Sequence, residues 1–156
     1  MPNFQYLILF ILTLNFLFSL TTKLLNLGAM KATLPSEFEG TYDQEKYTQS
    51  QNYLKDNTHF SLISESFSFI CTITFLLSIL KPLYQYVHQS TSNQILQAMI
   101  YLGSLALASL ILDLPFSYYR TFVIEEKYGF NKTTLKTFFL DRVKGLILGS
   151  ITGGLV

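Results

Sequence analysis

Long apolar runs that are almost free of charge constrain this chain more than any other feature of its sequence. The first run, Phe4–Leu27, contains a single charged residue, Lys23. At about 1.5 Å per residue, it is long enough to cross a hydrocarbon core of about 30 Å. Runs 62–80 and 95–114 are each close to the roughly 20 residues that one crossing needs. We therefore expect an all-α fold, a polytopic transmembrane helical bundle.

A fourth apolar stretch occupies residues 143–156. Its 14 residues are too few to cross a bilayer at the usual helical rise. The sequence thus predicts three full spans and the start of a fourth. Because a helix that ends in lipid leaves carbonyl groups unpaired, we expect a fragment, a truncated product or one part of a split protein.

The first run has an alternative interpretation as a cleavable signal peptide. Such a peptide has a basic start, an apolar core of about 7 to 15 residues and a small-residue cleavage site. No Lys or Arg precedes Phe4, and the apolar run is longer than that core. A retained membrane anchor is the favoured interpretation.

The distribution of basic residues predicts the orientation. Of the 11 Lys and Arg residues, only Lys81 lies in the predicted turn between the second and third spans, 81–94. The other ten lie in the segments that follow the first and third spans, 28–61 and 115–142, or next to them. Because basic loops remain cytoplasmic, these segments are expected inside and the N-terminus outside.

Local signals predict helices in both cytoplasmic segments. Thr41, followed by Gln44, has the form of a capping box that opens a helix over about 43–57. Pro115 is expected to end the third helix, and Gly129 to supply a turn. Beyond that turn, apolar residues recur at helical spacing and indicate an interfacial helix that leads into the fourth stretch.

Four polar residues follow helical spacing at the start of the second span and so form one stripe. They are Ser61, Glu65, Ser68 and Thr72. A charged residue near the membrane costs enough free energy to suggest a function. Glu65, Ser68 and Thr72 are therefore candidate cavity-lining residues. The alternative is that Glu65 lies near headgroups and anchors the helix start.

The sequence offers no catalytic, cofactor-binding or metal-binding residue. Its two histidines, His59 and His88, belong to no H-E-x-x-H motif, and Cys71 is the single cysteine. Glycines at 145, 149 and 153 have the four-residue spacing of close helix packing in lipid, without a nucleotide-binding fingerprint. No cofactor in this chain and no nucleic-acid partner are expected.

Two segments carry a family resemblance. The connector LPSEFEGTYDQEKYTQSQNY and the stretch FVIEEKYGFN after the third span resemble the N-terminal membrane region of the type I CAAX prenyl proteases, the Ste24-type integral-membrane zinc metallopeptidases. The resemblance covers essentially the whole chain but only the first half or less of a family member. The connector and the compact loops look more like the bacterial relatives.

The resemblance implies a seven-helix membrane chamber with zinc bound by a motif after the fifth helix. Family members in eukaryotes hydrolyse peptide bonds near the C-terminus of prenylated proteins. None of the family's metal ligands maps onto a residue of this sequence.

We therefore expect the N-terminal transmembrane scaffold of such a protease, inactive alone. Its partners would be the lipid bilayer and the remaining C-terminal half. A degenerate homologue that acts as a membrane assembly or interaction subunit is the alternative. The expected location is a bacterial inner membrane, or else the endoplasmic reticulum membrane. A small transporter is disfavoured because no span carries a charge at mid-depth and no inverted repeat is visible.

Overall fold

The computed structural model describes residues 2–30, 34 and 43–154, and it divides the chain into two compact units, 1–74 and 75–156. The first unit contains helices α1 and α2. The second contains helices α3, α4 and α5 together with two π-helical segments. The bounds are Pro2–Ala29 for α1, Gln44–Thr74 for α2, Leu80–Ser90 for α3, Gln94–Tyr119 for α4 and Leu135–Gly154 for α5, with the π-helical segments at Phe75–Ile79 and Arg120–Glu125.

The predicted fold class is confirmed. The described part of the chain is helical without a strand. Three helical stretches are long and apolar enough to cross a membrane: Phe4–Ala29, Gln44–Ser90 and Gln94–Glu125. None of the residues in their apolar windows is buried within this chain. These surfaces therefore face lipid or other polypeptide.

The helix predicted over about 43–57 begins where expected, but the predicted end near residue 57 was wrong. The helix begins at Gln44 but continues into the second apolar run, and the helical stretch extends to Ser90. No Gly or Pro occurs between Thr41 and Lys81, so nothing in the sequence breaks the backbone hydrogen bonding. At the helix start, the Asp43 carboxylate accepts a hydrogen bond from the Glu45 N–H at 2.8 Å. Thr41, the first residue of the expected capping box, lies outside the described residues.

The prediction that residues 81–94 form a turn was also wrong for most of that range. Helix α3 occupies most of that range, and only residues 91–93 connect it to α4. Pro82 lies within this helical stretch and cannot donate the usual bond to the Ser78 carbonyl. The π-helical segment Phe75–Ile79 occupies the turn before it, which is where the missing bond would disturb the α-helical pattern.

Pro115 does not end the third helix, as the sequence had suggested. It lies inside α4, which continues to Tyr119 and then through the second π-helical segment. A proline removes one N–H, but a complete break at the edge of the bilayer would expose several unpaired backbone groups. Continuation of the helix is therefore the less costly outcome.

Helices α3 and α4 of the second unit pack against each other. Asn93 caps α4, because its side-chain oxygen accepts hydrogen bonds from the N–H groups of Ile95 and Leu96. Val87 of α3 is 2% exposed. Tyr84 of α3 packs edge-on against Tyr101 of α4, with their ring centroids 6.2 Å apart.

The turn expected at Gly129 is present. Its φ of 75° lies in the left-handed region, and the Phe130 N–H donates back to the Glu125 carbonyl at 2.9 Å. Helix α5 then runs without a break from Leu135 into the fourth apolar stretch and is described as far as Gly154. Phe138 of α5 is 3% exposed and packs against the rings of Tyr118 and Phe122. The predicted interfacial helix and the fourth stretch are thus one helix.

Candidate functional site

The polar cluster between α1 and α2 centres on Glu65. Its carboxylate forms an ion pair with the Lys23 ammonium and accepts a hydrogen bond from the Ser19 hydroxyl at 3.0 Å. The Lys23 ammonium also donates to the Ser61 hydroxyl oxygen at 2.9 Å. Glu65 and Lys23 are 43% and 23% exposed, so both charges are only partly shielded from their surroundings.

The predicted polar stripe divides into two parts. Ser61 and Glu65 contact α1 through this cluster, whereas Ser68 and Thr72 are exposed. The Thr72 hydroxyl donates to the Ser68 carbonyl of its own helix at 2.8 Å. Whether Glu65, Ser68 and Thr72 line a cavity stays a prediction.

An aromatic stack lies about one turn further along the same helix pair. The rings of Phe16 and Phe69 are parallel within 5°, with centroids 4.3 Å apart. Helices α1 and α2 are antiparallel, because the residue numbers in α2 fall as those of their contacts in α1 rise. The positions that meet are Phe16 with Phe69, Ser19 with Glu65, and Lys23 with Glu65 and Ser61. One register therefore aligns the aromatic rings and the opposite charges.

The cluster superficially resembles a Ser–Lys nucleophile, because an amine lies within hydrogen-bond distance of the Ser61 hydroxyl. A general base must offer a lone pair to that hydroxyl. In this site the Lys23 ammonium is the donor to both Ser61 and Glu65. The geometry suits charge compensation between two membrane helices rather than nucleophile activation.

Ser19 and Lys23 are the cluster residues that the sequence interpretation missed. Lys23 was recognised as the first charge of the first apolar run, but without a partner. The available signal was that Lys23 and Glu65 have opposite charge and lie in consecutive apolar helices. Periodicity within each helix does not report which faces meet, so the pairing required the structure.

The histidines occupy different environments. His59 is exposed on α2. His88 donates from Nδ1 to the Gln97 side-chain oxygen at 3.2 Å, a direction required because that oxygen only accepts. Within the described ranges, no group of three or more His, Cys, Asp or Glu residues could hold one metal ion.

The small-residue face of α5 is open in this chain. A Cβ atom added at Gly145, Gly149 or Gly153 would meet nothing within 4 Å. The predicted close packing of these glycines therefore involves no other described helix of this chain.

Comparisons with known proteins agree with this architecture. A family model described as "CAAX prenyl protease N-terminal, five membrane helices" matches residues 23–156. The CAAX prenyl protease 1 homolog of Oryza sativa subsp. japonica is 35% identical over an alignment of 129 residues, and the match covers 78% of this chain and 30% of that protein. CAAX prenyl protease 1 of Saccharomyces cerevisiae is 33% identical over an alignment of 132 residues, and the match covers 78% of this chain and 29% of the yeast protein.

A solved structure shows the same fold. The crystal structure of S. mikatae Ste24p superposes with a TM-score of 0.86 at 29% identity and covers 96% of this chain and 37% of the Ste24p chain. This chain thus spans less than a third of the length of the two curated relatives above.

Proposed function

The chain belongs to the CAAX prenyl protease family, and on that premise we propose that it is the N-terminal transmembrane scaffold of a Ste24-type zinc metalloendopeptidase, without catalytic activity of its own. The family match over residues 23–156 is the observation that carries the proposal. The family-wide activity is proteolysis of CAAX-type prenylated proteins or other membrane proteins. This chain would supply part of the wall of the membrane compartment.

Within the described residues, no set of side chains fits the zinc of the family. A catalytic zinc site needs three protein ligands around one ion. The part of the chain that the structure describes has no such group of His, Cys, Asp or Glu. We therefore assign no zinc ligand and no catalytic step to this chain, and propose that both belong to the remaining C-terminal half of the protease.

Polar residues of α2 are the proposed contribution to the chamber. Ser68 and Thr72 are exposed and carry hydroxyl groups at the depth of the second span. Glu65 forms an ion pair with Lys23, so only the exposed part of the Glu65 side chain could face a cavity. Within this proposal, Ser68 and Thr72 form the chamber wall and Glu65 holds that wall against α1.

A chimera with the yeast relative tests the proposal. This chain would replace the matched N-terminal region of Saccharomyces cerevisiae CAAX prenyl protease 1, and cleavage of a prenylated CAAX peptide would be measured in membranes. We expect the chimera to cleave the peptide and the isolated chain to be inactive. Cleavage by the isolated chain would contradict the proposal.

A degenerate homologue that serves as a membrane assembly or interaction subunit is the second candidate. It is favoured by the combination of a family match with no group of metal ligands in the described residues. A chimera that accumulates in membranes as well as the yeast protein but cleaves nothing would support this candidate over the first.

We also propose a bacterial inner membrane as the location, with the N-terminus outside and the basic segments in the cytoplasm. Ten of the 11 Lys and Arg residues then lie on or near the cytoplasmic side. The endoplasmic reticulum membrane is the alternative. Reporter fusions at Met1 and within the connection 91–93 would test the orientation, since both positions should lie on the outer side of the membrane.

A further inference from the structure

Arg142 of α5 is held in a fixed position by three contacts. Its Nη1 donates to the Phe138 carbonyl at 3.0 Å, and its Nη2 donates to the Ser117 hydroxyl of α4 at 2.5 Å. The guanidinium carbon also lies 3.4 Å from the centroid of the Phe138 ring. Phe138 is almost fully buried, so the platform beneath the guanidinium is rigid. The orientation of the charge is thereby set in advance of any ligand.

The charge of Arg142 is half-buried. Among the residues that the structure describes, Arg142 forms no ion pair with a carboxylate. A guanidinium has five N–H donors, and the two protein hydrogen bonds occupy two of them. The remaining donors have the fork geometry that suits two oxygens of a phosphate.

The position of Arg142 matches the depth of lipid phosphates. The apolar run 95–114 ends three residues before Ser117, and the stretch 143–156 begins directly after Arg142. Because Ser117 and Arg142 are in contact, both boundaries lie at one level of the bilayer. Tyr118 and Tyr119 at this level are 41% and 48% exposed, as is typical of aromatic residues near headgroups.

We propose that Arg142 is a binding site for the phosphate of an anionic phospholipid headgroup. A lipid phosphate supplies the missing negative charge at the correct depth and matches the free edge of the guanidinium. Ser117 and Phe138 are positioning residues for this site, because they orient the guanidinium without carrying charge. The inference is independent of the proposed protease function.

The absence of tryptophan from this chain allows a direct test. Phe139, which is 48% exposed and whose ring lies 5.3 Å from that of Phe138, would be changed to Trp as a single fluorescent reporter. Quenching by brominated phosphatidylglycerol and brominated phosphatidylcholine would be compared in bilayers. We expect a roughly fivefold preference for phosphatidylglycerol, the size associated with one basic residue at an anionic surface.

Variants made in the reporter chain separate a specific site from general basic charge. Arg142→Gln should abolish the preference, and Ser117→Ala should reduce it while leaving every charge in place. Arg120→Gln is the matched control, since the exposed Arg120 side chain has no ion pair or hydrogen bond among the described residues. It should keep the full preference. Circular dichroism would confirm that each variant remains helical.

Three results would overturn the proposal. The reporter chain could show equal quenching by both lipids, in which case a protein carboxylate from the rest of the protease is the better counter-ion. Arg142→Gln could retain the preference. Arg120→Gln could remove as much of it as Arg142→Gln, which would indicate diffuse charge attraction.

Discussion

The ion pair between Lys23 and Glu65 shows how much a single residue contributes to the contact between α1 and α2. Removal of one partner from a fully buried ion pair costs about 3–5 kcal/mol, whereas exposed pairs contribute about 1 kcal/mol or less. These two side chains are 23% and 43% exposed, so their pair falls between the two limits. Because Glu65 is half-exposed, its surroundings partly screen its charge, and this lowers the expected contribution of the ion pair to stability.

We therefore expect Lys23→Met to lower the free energy of unfolding by about 1–2 kcal/mol, because Glu65 then keeps an unpaired charge. The double variant with Glu65→Gln should recover part of that loss. Unfolding in mixed micelles, followed by circular dichroism, would measure both values. Lys144→Met is the control, since its pair with Asp141 spans 3.7 Å and both side chains are 60% exposed. Additive effects of the two cluster variants would show that the pair contributes nothing.

Gly129 makes a second prediction at the residue scale. Its φ of 75° is costly for any residue with a Cβ, although the space around it is open. Gly129→Ala should lower the free energy of unfolding by about 1 kcal/mol, whereas Gly145→Ala in α5 should be neutral or slightly stabilising. The same unfolding measurement applies. Equal effects at the two positions would mean that the turn conformation is not the cause.

At the scale of whole helices, local chemistry predicted the turn at Gly129 and the α-helical character of the apolar runs. It failed at Pro115, because the penalty for an interior proline is judged from soluble helices, while lipid penalises a broken helix even more. Local chemistry also wrongly predicted that a helix ends near residue 57. Hydropathy changes there from polar to apolar, but the backbone has no reason to stop.

The continuity of α2 can be measured directly. Spin labels at Gln49→Cys and Ser68→Cys, in a Cys71→Ala background, would be 19 residues apart in sequence. A continuous helix separates them by about 28 Å, with a narrow distance distribution. Thr58→Pro should broaden that distribution by breaking the helix between the labels. A broad distribution before the proline is introduced would argue for two separate helices.

For the molecule as a whole, the family resemblance and the helical fold could be predicted from the sequence. Both depend on signals within continuous stretches of residues, namely the length of the apolar runs and two long motifs. The sequence did not establish which faces meet. Lys23 and Glu65 are 42 residues apart, and no local pattern joins them. The same limit applies to the open face of α5, which no described helix of this chain covers.

That open face leads to a prediction about the chimera with the yeast relative. Gly149 has nothing within 4 Å of an added Cβ, so Gly149→Leu should leave the stability of the isolated chain unchanged or raise it slightly through helix propensity. In the chimera with the yeast relative, we expect this glycine to contact a helix from the remaining polypeptide. The bulkier side chain should then cost about 1–3 kcal/mol and lower the amount of folded chimera in membranes.

Ser150→Leu is the matched control, because it adds bulk one residue along the same helix but on a different face. Membrane abundance and unfolding in mixed micelles would be measured for both variants in both contexts. A loss of stability by Gly149→Leu in the isolated chain would contradict an open face, since no other polypeptide is present there. Equal abundance of the two chimera variants would show that α5 does not use its glycines to contact the rest of the protease. Only a loss confined to Gly149→Leu in the chimera fits a face that is completed by polypeptide beyond this chain.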